Sequence, residues 1–257
     1  MFPTNQEIRV LLLGHEQTGK TVLLNEFRRL FSSADHKHKH KEKDEEDEEE
    51  TNQEYHPTTG TSVARGKLFG MRWCVTDIGG RPKQRLIWDN YFPDTLFIIW
   101  VCAPPVPPQL SPPPPSSAAS SSSTTSQQQQ QQQQTQEETL RQVMMKTELK
   151  CCPVVIVSHG SGGEEMKASM MEVIGRLPTD QQHEMIGFVI SDQPHSNSNA
   201  STSTSTSETT KTRKGRGDEE MKRTTVLKMA EWMSEMTKHS PNVKQRKKLV
   251  KEAMKHL

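Results

Sequence analysis

Aromatic side chains are scarce in this chain: two tyrosines, four tryptophans and seven phenylalanines in 257 residues, or 5%. With only 31% of residues apolar, the chain cannot bury its whole length in one packed core. The deficit is concentrated in three stretches with almost no core-forming residues, His36–Gln53, Ala103–Gln136 and Gln193–Arg223. Without them roughly 175 residues remain, enough for one domain with a sizeable core. Long apolar runs are also missing. None approaches the ~20 residues needed to span a bilayer, and no signal sequence opens the chain. Charge of one sign is missing too, since the formal net charge is +1. No global field therefore draws the protein to nucleic acid or to a membrane. The four cysteines, Cys74, Cys102, Cys151 and Cys152, sit within or beside apolar runs and lack metal-ligand spacing. They read as buried thiols. Together these absences set the expectation of a soluble, cytoplasmic protein with no nucleic-acid partner.

The chemistry is gathered in the stretch from Ile8 to Phe27, IRVLLLGHEQTGKTVLLNEF. An apolar run leads into Gly14, four residues follow, and then Gly19-Lys20-Thr21 opens a segment with Val22, Leu23, Leu24 and Phe27 on its apolar side. This is G-x-x-x-x-G-K-[ST] between a strand and a helix, the context that a phosphate-binding loop requires. Gly14 and Gly19 let the loop (Gly14, His15, Glu16, Gln17, Thr18, Gly19, Lys20 and Thr21) close tightly, so that its N–H groups converge on phosphate oxygens. The helix N-terminus adds its dipole at the same point. Lys20 is placed to reach the β- and γ-phosphates, and the Thr21 hydroxyl to bind Mg²⁺. The plain alternative is a glycine turn with no ligand; the full spacing and both flanks argue against it.

Further along, Met71–Thr76 reads as a strand that ends in Asp77-Ile78-Gly79-Gly80. An Asp at a strand end facing a phosphate loop holds Mg²⁺ through water, and Gly80 lets a backbone N–H approach a γ-phosphate. Apolar runs predict further strands at Glu7–Leu13, Ser62–Leu68, Leu96–Val101, Pro153–Val157 and Met185–Ile190. Helical periodicity predicts helices at Lys20–Leu30, Glu137–Leu149, Met166–Leu177 and Thr224–Lys238, the last with Val226, Leu227, Ala230, Met233 and Met236 inward. The alternation implies an α/β fold, a mostly parallel six-stranded sheet with helices on both faces. The three polar tracts then fall between elements as disordered surface-loop insertions, which closure entropy tolerates. The first carries His36, His38 and His40 in a charged block read as solvated, not as a metal site; the second is Pro-, Ser- and Gln-rich and reads as a spacer. The domain is expected over residues 1–240. A basic amphipathic tail follows over 241–257, with Leu249, Val250, Ala253, Met254 and Leu257 as its apolar stripe.

These residues resemble the Arf/Arl branch of Ras-like small GTPases. The matching text is GHEQTGKT (Gly14–Thr21), PTTG (Pro57–Gly60) and DIGGRPKQRLIWDNYFPDTLFIIWV (Asp77–Val101), with EWMSEM (Glu231–Met236) in the last helix. The order Gly79-Gly80, Arg85, Trp88 and Tyr91-Phe92 is the most telling part. The resemblance implies a Ras-like P-loop fold that binds GTP or GDP with Mg²⁺. It makes Thr58 the switch residue that joins the metal, and Asp77 and Gly80 the sensors of the second switch. Effector proteins are then expected to dock near Thr58 and over Asp77–Phe92, with exchange or activating factors as further partners, in vesicle or ciliary traffic. A location peripheral to endomembranes goes with this, yet position 2 is Phe2 and no prenylation box is present, so membrane contact falls to the basic tail or to partners.

Two positions depart from the family pattern. Arg81 stands where the family has the glutamine that orients water, and His159-Gly160-Ser161-Gly162 follows the fifth strand in place of the guanine-reading Asn-Lys-x-Asp. Ser191-Asp192 is the one other candidate for a base pocket. A guanidinium has donors only and cannot accept a water proton. Three readings stay open: a GTP-dependent switch with impaired hydrolysis, a pseudo-GTPase scaffold without guanine selectivity, and an ATP-using P-loop enzyme. Arg81 predicts that single-turnover GTP hydrolysis runs far below the rate of glutamine-bearing relatives; a comparable rate refutes this account of Arg81.

Overall fold

In a strand buried on both sides, alternate residues face opposite layers, and here both sets are apolar. The computed structural model describes residues 7–36, 60–102, 122–159, 163–178, 183–190 and 211–255. Its strands are β1 (Glu7–Leu13), β2 (Thr61–Leu68), β3 (Met71–Ile78), β4 (Phe97–Cys102), β5 (Val154–His159) and β6 (Met185–Ile190). They form one sheet in the order β2-β3-β1-β4-β5-β6. β2 is antiparallel to β3, and every other pairing is parallel. The helices are α1 (Lys20–His36), the single turn α2 (Pro82–Arg85), α3 (Ser122–Met144), α4 (Gly163–Gly175), α5 (Lys211–His239) and α6 (Pro241–Ala253). The expected α/β architecture is what forms.

Two cores follow from the alternation. Ile8, Val10 and Leu12 of β1, with Phe97, Ile99 and Val101 of β4, face α1 and α5 and meet Leu23, Leu24, Phe27, Val226, Met229 and Met233. Leu11 and Leu13, with Ile98 and Trp100, face the other way toward Leu140 and Met144 of α3 and Met166 and Met170 of α4. On α5 the inward face turns slightly from the expected one: Met229 is buried, whereas Leu227 is 39% exposed.

Element ends differ in informative places. β3 runs on to Ile78, because its ladder with β2 continues to the Thr61–Ile78 pair and its ladder with β1 to Leu12–Asp77. Asp77 is therefore held inside the sheet and not in a loop. α3 starts at Ser122 and so takes in Gln127–Gln134, part of the tract expected to be an irregular insertion. Glutamine is a good helix former, and extending a helix already seeded by Leu140, Val143 and Met144 costs far less than nucleating one. α5 likewise starts at Lys211, inside the third tract, and α1 runs on to His36. Residues 37–59, 103–121 and 191–210 lie outside the described residues, and with them Thr58, His38, His40, Ser191 and Asp192.

The tail folds back onto the domain. Ser240 ends α5 and caps α6, its hydroxyl oxygen accepting from the Val243 N–H at 3.2 Å while it donates to Glu184 at 2.7 Å. Pro241 takes the first helical position, where the missing N–H costs nothing. Val243 is fully buried in the α1–α5 core. The expected stripe is only half used: Leu249, Val250 and Ala253 are partly covered, Met254 is 50% exposed, and Leu257 lies outside the described residues. The anchor is instead Arg246, 2% exposed. Its guanidinium donates to the carbonyls of Thr95 at 2.8 Å, Phe92 and Glu148. Truncation to Ala would leave these carbonyls short of donors, at about 1–3 kcal/mol for each one left unsatisfied. Arg246→Ala is expected to cost about 3 kcal/mol or more in urea unfolding, against less than about 0.5 kcal/mol for the exposed Lys248→Ala.

Candidate functional site

The loop between β1 and α1 is bent by its glycines. Gly14 has φ +144° and Gly19 has φ +88°, values that side chains rarely adopt, and a Cβ on Gly14 would run into the Val101 carbonyl at the end of β4. The loop is thus pressed against the C-terminal edge of the sheet, at β1 and β4. Lys20 opens α1 with only 6% of its surface exposed. Its ammonium turns into the loop and donates to the His15 carbonyl, which also accepts from the Thr18 hydroxyl at 2.9 Å. Burial holds Lys20 down to about 8, with Asp77 and Glu16 pulling up and Arg85 pushing further down. An amine in this state has a strong electrostatic reason to accept an anion.

Thr21 and Asp77 meet as the motif requires. The Thr21 hydroxyl donates to the Asp77 carboxylate at 2.7 Å, across 56 residues of sequence, and Asp77 is fully buried. A hydroxyl and a carboxylate side by side at the foot of a phosphate loop are hard oxygen ligands that fit Mg²⁺, an ion that keeps several waters and takes few protein donors. When bound, the ion would supply charge neutralisation for phosphate oxygens.

Gly80 closes the other side. A Cβ there would overlap the Gly14 carbonyl and the His15–Glu16 peptide, so residue 80 lies backbone to backbone against the loop. Two side chains downstream hold it there. Arg85 donates to the Gly80 carbonyl at 2.9 Å and Trp88 to the Gly79 carbonyl at 3.1 Å. Trp88 stands edge-on to Trp100 of β4 with ring centroids 6.1 Å apart, and Trp100 meets the His15 ring at 6.5 Å. A column of three rings therefore runs from the segment after Asp77 back to the phosphate loop.

Several of these contacts are absent from any motif. The His15 ring reaches Thr139 Oγ1 at 3.0 Å on α3. That hydroxyl already donates to the Thr135 carbonyl, so His15 Nε2 is the donor in this contact. The Gln84 carboxamide packs onto Gly79, where a Cβ would collide with it. Arg81, where the resemblance expects a glutamine, has its Nε 3.3 Å from Glu16 of the loop. His159 ends β5 and sets its ring over the loop: a Cβ on Gly19 would stand 3.1 Å from its Nε2. The place where the resemblance expects a base-reading residue thus presents an imidazole, and residues 160–162 lie outside the described residues. Sequence spacing brought Gly14 to Thr21, Asp77 and Gly80 together, while these longer contacts had no signal in it. Cys102 and Cys152 are buried thiols, raised to about 12 and about 11 by burial.

Residues 43–104 match the model of the ADP-ribosylation factor family. That segment contains Asp77–Gly80 and Arg85–Phe92 and begins after the phosphate loop. The chain is 35% identical over 96 residues to ADP-ribosylation factor-like protein alp41 of Schizosaccharomyces pombe, covering 37% of this chain and 41% of that protein. It is 34% identical over 91 residues to ADP-ribosylation factor-like protein 3 of Pongo abelii, covering 35% and 43%. The matched stretch thus spans less than half the length of these relatives. Among solved structures, the Arl6 BBS3 small GTPase from Trypanosoma brucei with bound nucleotide analogue GppNp is similar at 14% identity and a TM-score of 0.44, covering 72% of this chain and 87% of that one.

His15 supplies a pH test of this geometry. Burial, then Arg85 and Lys20, lowers it from an ordinary 6.5 to about 4. The unfolded chain binds the proton first as pH falls, so the stability that neutral His15 contributes is complete above about pH 6.5 and lost between there and about pH 4. His15→Asn is expected to flatten the loss of stability between about pH 7 and about pH 4.5 in urea unfolding. Equal slopes for the variant and the parent would refute the buried, neutral assignment.

Proposed function

As a homologue of the Arf/Arl small GTPases, this chain is, we propose, a GTP-dependent molecular switch that recruits effector proteins. The observation that carries the reading is the meeting of Lys20, Thr21, Asp77 and Gly80 around one glycine loop. Each has a role in holding a triphosphate. The loop N–H groups from Gly14 to Thr21 cradle the phosphates, and Lys20 turns from the His15 carbonyl to the β- and γ-phosphates. Thr21 and Asp77 hold Mg²⁺, Asp77 through water, with Thr58 as the third contributor when the γ-phosphate is present. Gly80 presents its N–H to that phosphate. Because Arg85 and Trp88 tie Gly79–Gly80 to the segment that follows, a γ-phosphate that moves Gly80 also moves the surface around Leu86 and Ile87. Leu86 is 82% exposed and Ile87 36%, an apolar pair suited to a protein partner. Exchange or activating factors would act on the same face, and a role in vesicle or ciliary traffic, peripheral to endomembranes, accords with the family resemblance. Among the described residues, no helix is long and apolar enough to cross a membrane.

Hydrolysis in this reading is slow. Arg81 offers charge but no acceptor for a water proton. A second reading, a pseudo-GTPase scaffold without guanine selectivity, is favoured by His159 over Gly19, where the family carries its guanine reader. One titration separates the two: purified protein with labelled GTP, GDP and ATP, with and without Mg²⁺. The switch reading expects Mg²⁺-dependent GTP binding that Lys20→Ala weakens by about 100-fold. No binding favours the scaffold, and a preference for ATP overturns the guanine assignment.

A further inference from the structure

Glu16 is the carboxylate of the phosphate loop, and three cations surround it. Arg81 Nε lies 3.3 Å from its Oε2, and Lys20 and Arg85 both feel its charge. Two of the three are committed elsewhere, Lys20 to the His15 carbonyl and Arg85 to the Gly80 carbonyl. Arg81 has Glu16 as its ion-pair partner among the described residues. The geometry of this pair is unusual for a surface contact. Arg81 directly follows Gly80, and Gly80 lies backbone to backbone on residues 14–16. The guanidinium is therefore hinged one residue from the place where a terminal phosphate would meet Gly80. Its partner is weak, because both side chains are 46% exposed and pairs in that setting are screened by water and salt. A phosphate is the better acceptor: it carries more charge, and its oxygens match the fork of a guanidinium bidentately.

We propose that Glu16 and Arg81 form a carboxylate-for-phosphate exchange: Glu16 holds Arg81 when no γ-phosphate is bound and releases it to the γ-phosphate, making Arg81 the residue that discriminates triphosphate from diphosphate. The proposal rests on reading the loop as a triphosphate site. It gives the departure from glutamine at position 81 a positive role, since the residue that cannot orient water can still count phosphates. It also gives Glu16 a role. In the diphosphate state it neutralises a guanidinium that would otherwise face the β-phosphate and blur the difference between the two nucleotides. No bond is made or broken in the exchange; one ion pair replaces another.

The test is a double-mutant cycle on full-length protein, read as the ratio of affinities for a non-hydrolysable GTP analogue and GDP with Mg²⁺. Arg81→Ala is expected to lower that ratio by about tenfold or more while leaving GDP affinity within about threefold. Arg81→Lys, which keeps the charge and loses the fork, should fall between Arg81→Ala and the parent. Glu16→Gln should raise triphosphate affinity in the parent background and clearly less in the Arg81→Ala background, because the competition it removes is then already gone. Both residues are half exposed, and thermal melting checks that each variant is folded. An unchanged ratio in Arg81→Ala overturns the proposal. An equal Glu16→Gln gain in both backgrounds also overturns it, since Glu16 would then act by simple repulsion. If the parent protein binds neither nucleotide, the triphosphate reading itself falls, and the exchange with it.

Discussion

The structure depends on one close approach, the seating of the Gly79–Gly80 backbone against the loop from Gly14 to Glu16. A Cβ on Gly80 would overlap the loop backbone, and the carbonyls of Gly79 and Gly80 are tied down by Trp88 and Arg85. Because β1 and β3 are hydrogen-bonded neighbours with Leu12 opposite Asp77, the sheet itself brings these two segments together. Packed backbones do not deform smoothly, so a ligand that separates them must shift the segment as a unit. In the proposed switch, a local phosphate contact would become a change of surface by this route.

Charge at this place is arranged as carefully as shape. His15 is kept neutral by burial and by the neighbouring charges of Arg85 and Lys20, which spares the loop a further cation beside them. Lys20 is held partly out of water against backbone oxygen, a state that leaves its ammonium under-neutralised. The site thus has the electrostatics of a polyanion receptor, with Glu16 and Asp77 as its internal counter-charges.

At the opposite end of the sheet a different device operates. Arg246 reaches from α6 to three carbonyls on two separate segments, around Phe92–Thr95 and at Glu148. The first of these follows Trp88 and Tyr91 and leads into β4, so the last helix braces the far end of the same segment that begins at Asp77. A charged residue does this where an apolar one would not, since only a planar donor fork satisfies several backbone oxygens at once.

Much of this could be read from the residues alone. The glycine loop, the order of strands and helices, the parallel sheet and the choice of Lys20, Thr21, Asp77 and Gly80 as residues that gather at one place follow from local spacing and periodicity, because turn geometry and face alternation are short-range constraints. The inward set Leu140, Val143, Met144 and Leu149 was legible for the same reason. Contacts closed only by the folded chain were not. His15 on Thr139 spans 124 residues and Arg246 on Phe92 spans 154, and no periodicity encodes such distances. The basic tail read as an amphipathic stripe because Leu249, Val250 and Ala253 recur at helical spacing; the folded domain chose Val243 and Arg246 instead, the residues that reach its open carbonyls and core. Arg81 stood out in sequence and Glu16 did not, and only tertiary structure showed that they are a pair. Sequence by itself determined the place and shape of the glycine loop, since that depends on one continuous stretch. Tertiary structure decided what surrounds that loop, since ion pairs and buried donors depend on which distant segments the sheet brings within a few ångströms.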